Sequence, residues 1–135
     1  MKKFSLSLVA GFIVNNVVGT LAALFIAKPW VYPMISEFER KPDELEMPFL
    51  LTGYFLLTLM MVIVYPYFNL QTSWLKKGAI WGLIAGLMSF VSIYSIISGW
   101  SILPPKAMII SGIIDTSSTI ATGIVIAFIY RTKPD

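Results

Sequence analysis

Four long apolar runs dominate this chain, and each is about as long as a helix needs to be to cross a bilayer. They cover roughly Phe4–Ala27, Pro48–Phe68, Gly78–Trp100 and Ala107–Tyr130. A soluble core of 135 residues has no place for four such runs, each needing about 20 apolar positions in a row. The sequence therefore predicts an all-α integral membrane protein: a single domain over residues 1–135, with four transmembrane helices in an antiparallel bundle.

Proline and charge divide the runs in the same places. Pro29 and Pro33 are expected to close the first, Pro48 to open the second, and Pro104 and Pro105 to precede the fourth. Pro66 predicts a kink or an end near the close of the second. Apart from Asp115, every charge lies near a terminus or in a short connecting segment. The first run is too long for a leader's apolar core, carries Asn15 and Asn16 at its middle and is followed by no clear small-residue cleavage site, so it is expected to be retained.

Lysine and arginine set the expected orientation. Lys2, Lys3, Lys76, Lys77, Arg131 and Lys133 fall on one side, and Lys28, Arg40, Lys41 and Lys106 on the other. The excess places both termini in the cytoplasm and residues 28–47 outside. Trp30, Tyr32 and Trp100 would mark the outer interface, and Tyr65, Tyr67, Trp74, Trp81 and Tyr130 the inner one. Within the outer loop, the SEFE of residues 36–39 fits a capping box and predicts a short surface helix.

Lipid tails are as apolar as leucine, so helices in a bilayer associate through close approach of small residues. Gly78, Gly82 and Gly86 repeat at spacing four on the third run. The first carries Gly11, Asn15, Gly19, Ala23 and Ala27, and the fourth Gly112, Thr116, Thr119, Gly123 and Ala127. These stripes can pack within one bundle or face a second copy. The plan resembles that of small four-span bacterial membrane proteins with a glycine stripe on the third span and an acid on the fourth. That resemblance implies an architecture and a cytoplasmic-membrane location, and no activity.

Asp115 is the one carboxylate inside an apolar run. A carboxylate in hydrocarbon costs several kcal/mol, and more without a partner. Ser111, Ser118, Thr119 and Thr122 share its helical face, with Ile113, Ile120, Ile124 and Phe128 behind. At about 1.5 Å per residue it lies some 12 Å from the outer end of its span. Asn15, Asn16 and Thr20 on the first span reach a similar depth, as do Tyr54 and Thr58 on the second and Ser89, Ser92 and Ser95 on the third. The expectation is one polar layer. In it Asp115 is either a register pin, paired with Asn15 or Asn16, or a site for a proton, a cation or a polar ligand group.

The chain has no cysteine and no histidine, which excludes thiolate and imidazole chemistry and Cys/His metal sites. No metal or cofactor is implied. The net charge of +3 flanks the spans and is no nucleic-acid signal. Three functions remain. The first is a non-catalytic helper or structural subunit of a membrane complex. The second is a small homo-oligomeric transporter or channel for protons, cations or a small polar solute, using Asp115. The third, a minor one, is a lipid-modifying enzyme in which Asp115 with Tyr54 or Tyr94 moves a proton.

Overall fold

The computed structural model describes residues 2–38 and 44–131. Among them the chain is helical, with no strand. Four helices are long and apolar enough to cross a membrane: α1 (Lys2–Trp30), α3 (Met47–Tyr67), α4 (Trp74–Trp100) and α5 (Pro105–Tyr130). A short α2 (Tyr32–Ile35) follows α1 after a break at Val31.

The ends differ from the sequence reading in informative ways. Pro29 does not stop α1: a π turn at Ala23–Ala27, closed by the Lys28 N–H on the Ala23 carbonyl, leads directly into it, and the helix runs on to Trp30. Pro33 likewise sits in the first turn of α2. Ser36 ends that turn of helix instead of capping a new one, and Glu39 lies outside the described residues. α4 starts four residues before Gly78, since the Ser73 hydroxyl accepts from the backbone N–H of Lys76 at 3.4 Å and caps it. Pro66 acts as its ring requires: α3 tightens into a 3-10 turn at Tyr65–Tyr67 and ends.

α5 is the hub. Its backbone runs close along α4 and along α1, while α3 rests its backbone mainly on α1 and meets α5 through side chains such as Tyr65 against Tyr130. Close approach to α4 depends on glycine. A methyl group on Gly78 would meet Gly123 and Ala127; one on Gly82 would strike the backbone of Thr119 and Ile120; one on Gly86 would strike Thr116 and Thr119. On the opposing surface, Gly123 lies against Gly78 and Gly82, and Gly112 against the backbone of Val91. Gly11 brings α1 to Thr58 and Thr122, whereas Gly19 has ordinary room beside Tyr54 and Ser118.

Two apolar clusters bracket a polar middle. One holds Met61, Val62, Tyr65, Ala85, Ile126 and Ala127. The other holds Ala27, Val31, Ile35 and Ala107. Between them lie the buried Asn15, Thr58, Thr116, Ser118, Thr119 and Thr122. α3 and α4 meet at one end only, where Trp81 Nε1 donates to the Met61 carbonyl at 3.2 Å and its ring lies 5.3 Å from Phe68. At the other end they part and leave a groove.

Candidate functional site

Asp115 lies half-buried in the middle of α5. The Tyr94 hydroxyl, on α4, donates to Asp115 Oδ2 at 2.9 Å. A repeat of four drifts about 40° per step around an α-helix, so an unbroken α4 would carry Tyr94 about 160° from the Gly78 stripe. The π turn at Leu87–Val91, closed by the Ser92 N–H on the Leu87 carbonyl, takes in about one extra residue and restores about 100° of that drift. Tyr94 is thereby kept on the α5 side. Gly112 admits the Val91 backbone just beside it.

Tyr94 also faces the groove between α3 and α4. The groove has a volume of about 420 Å³ and is lined mainly by apolar side chains, Phe49, Leu57, Phe90 and Ile93 among them, with Tyr54 on the far wall. Phe90 and Tyr94 stand with ring centroids 6.2 Å apart. Tyr54 lies within electrostatic reach of Asp115, and Tyr54 and Tyr32 within reach of Tyr94. The arrangement is an aromatic cleft, open to the side, with one carboxylate a hydrogen bond behind its wall.

The remaining polar groups divide. Asn15 is fully buried and donates to Thr58 Oγ1 at 3.2 Å, and Thr58 in turn donates to the Tyr54 carbonyl at 2.9 Å. Asn16 donates to the Phe12 carbonyl of its own helix. The pin between Asp115 and an asparagine, one of the two expected roles, is therefore not formed: Asn15 bonds Thr58 of α3, Asn16 its own helix, and Asp115 accepts from Tyr94 of α4. Asn15 Oδ1 and the fully buried Ser7 Oγ have no hydrogen-bond partner.

The face expected to run from Ser111 through Thr122 is split between two neighbours. Thr116 and Thr119 turn toward Gly86 on α4, while Ser118 and Thr122 turn toward Gly19 and Gly11 on α1. Their hydroxyls donate to carbonyls of α5 itself: Thr116 to Gly112, Ser118 to Asp115, Thr119 to Thr116 and Thr122 to Ser118; Thr122 also reaches the Gly11 carbonyl of α1 at 3.5 Å. Ser111 is half-buried, and Thr20 and Ser92 are exposed and stand apart from the layer. Ile120 and Ile124 are half-buried, since Gly82 and Gly78 pack against their backbone; Ile113 and Phe128 remain outward. Sequence reasoning left Thr116 and Ser7 out of the polar set, although Ser7 stands one step of four before Gly11 on the buried stripe of α1.

Among the described residues no three His, Cys, Asp or Glu side chains gather where a metal could be held. No protein-family model, curated protein or solved structure matches the chain.

Proposed function

We propose that this is a small non-catalytic integral membrane protein. In this reading its four spans form an antiparallel bundle with both termini in the cytoplasm, and it serves as a helper or structural subunit of a membrane complex. One observation carries the reading: the buried hydroxyls of Thr116, Ser118, Thr119 and Thr122 are taken up by carbonyls of α5 itself, Thr122 also reaching the Gly11 carbonyl of the packed α1. Groups used in this way lubricate close packing and present no acid, base or nucleophile to a substrate. Photo-crosslinking in the native membrane tests it, with the photoreactive residue at Leu56 or Met60, both exposed on α3. A different membrane protein captured at fixed stoichiometry is the expected result; capture of this chain alone would overturn it.

A second reading rests on the exception. The Tyr94–Asp115 pair joins two helices at the wall of a side-opening cleft. A carboxylate there can receive a proton, a cation or a polar ligand group, as a small homo-oligomeric transporter would require. Gly78, Gly82 and Gly86 of α4 already lie against α5, so such an oligomer would use other faces. Flux in proteoliposomes that disappears in Asp115→Ala would support it, and unchanged flux in that variant would remove Asp115 from the mechanism.

A further inference from the structure

At the opposite end of the bundle from the α3–α4 groove, the last turn of α3, the first turn of α4 and the end of α5 line a second, open cavity. Its volume is about 520 Å³, and Tyr65, Thr72, Trp74, Lys77, Tyr130 and Arg131 line it together with apolar Pro66, Leu70 and Ala127. The lining holds two cations and no carboxylate. Both cations are steadied by aromatic faces. Lys77 Nζ lies 5.1 Å from the Tyr65 ring centroid. The Arg131 guanidinium lies 3.8 Å from that of Phe128 and 5.7 Å from that of Trp74. Those rings support one another: Trp74 and Phe128 meet edge-on at 5.5 Å, and Tyr65 and Tyr130 stand at 5.4 Å.

A cation on an aromatic face keeps its N–H donors free to turn toward an anion. Two such cations, with tyrosine and threonine hydroxyls beside them, suit the oxygens of a phosphate. The position identifies the source of that phosphate. Three long apolar helices end or begin at this cavity, so in a bilayer it would stand at headgroup depth on the cytoplasmic side. Leu70 and Phe128, exposed at its edge, offer a surface for acyl chains. We propose that this cavity binds the phosphate headgroup of an anionic glycerophospholipid. The proposal rests on the membrane reading and is independent of any role for Asp115.

Native mass spectrometry tests it on the full chain, released from neutral detergent holding equal amounts of phosphatidylglycerol and phosphatidylcholine of one chain length. The wild type is expected to retain phosphatidylglycerol preferentially. Lys77→Gln with Arg131→Gln is expected to lower that preference about thirtyfold, from the loss of two charges at the surface. Lys77→Arg with Arg131→Lys should restore most of it. Lys2→Gln with Lys3→Gln, at the start of α1 and outside the cavity lining, should leave it unchanged. An equal preference in the Lys77/Arg131 double variant would overturn the proposal, as would an equal loss in the Lys2/Lys3 variant, which would reduce the effect to general surface charge. Displacement of the lipid by inorganic phosphate alone would show a free-anion site and overturn the lipid assignment. Circular dichroism confirms that each variant is folded, and resistance to alkaline extraction from membranes checks the membrane reading separately.

Discussion

Gly82→Ala is the smallest change that should pry the bundle apart. A Cβ at position 82 would lie 2.5 Å from Ile120 Cα and 2.8 Å from the Thr119 carbonyl carbon, and would press on the Thr119 carbonyl oxygen as well. All three atoms are backbone, so no rotamer change relieves the clash. α4 must withdraw from α5 by on the order of 1 Å, and a gap of that size forfeits a quarter to a half of each dispersion contact along the seam. Gly78 and Gly86, which share the seam, lose their contacts too. Against this, alanine in mid-helix gains about 0.5–1 kcal/mol over glycine. Overpacking a tight core costs about 1–3 kcal/mol, and backbone clashes belong at the upper end, so the expected net loss is about 2 kcal/mol. Gly53→Ala is the control: nothing lies within 4 Å of its added methyl, so only the propensity gain remains and stability should hold or rise. Reversible unfolding of both variants in mixed micelles, followed by tryptophan fluorescence, measures the difference. Equal stability of Gly82→Ala and wild type would refute the seam described here.

Other outcomes follow from single contacts. Asp115→Leu should cost more than Asp115→Asn, because asparagine still offers Tyr94 an oxygen while leucine leaves a phenol unpaired, a difference of about 1–3 kcal/mol in unfolding free energy. A double-mutant cycle of Asn15→Ala and Thr58→Val should give a coupling near 0.6 kcal/mol, the usual size for such bonds between bilayer helices; a value indistinguishable from zero would dissolve the pair. Reporter fusions should place residues 1 and 135 on the cytoplasmic face and a tag near residue 40 outside, and a reporter at residue 135 found outside would reverse the orientation.

Helix existence and approximate ends were legible because apolar length and proline are local signals. The buried side of α4 was legible for the same reason: three glycines at spacing four lie on one face whatever packs against them. Their partner was not, since spacing alone cannot distinguish a neighbour in the chain from a second copy. The polar layer was half legible. Depth along a helix follows from counting residues, and counting put Asn15, Thr58 and Asp115 in one band, though it named Ser92 and Ser95 on α4 and passed over Tyr94 between them. Azimuth depends on which neighbours arrive on each side. The wheel placed Ser118 and Thr119 on one face with Asp115, but adjacent positions on a helix turn about 100° apart, enough for α1 to claim one and α4 the other.

The π turns explain the remaining gap, and they link packing to the site. A stripe at spacing four drifts around a straight helix, so it can follow a partner for only a few turns. On α1 the buried positions run Ser7, Gly11, Asn15 and Gly19, step by three to Ala22, and then by five across the π turn to Ala27. On α4 the glycine stripe ends at Gly86 and the π turn begins at the next residue. Each turn corrects accumulated drift at the point where the smooth stripe gives out, and no local propensity marks the place, because the correction answers to the partner helix. If drift correction is what puts Tyr94 on Asp115, deleting one residue within Leu87–Val91 should convert the turn to plain α-helix and rotate everything beyond it by about 100°. The Tyr94–Asp115 bond would then be lost while the Gly78–Gly86 seam stayed intact. A disulfide engineered at that seam would still form, whereas one joining positions 94 and 115 would not.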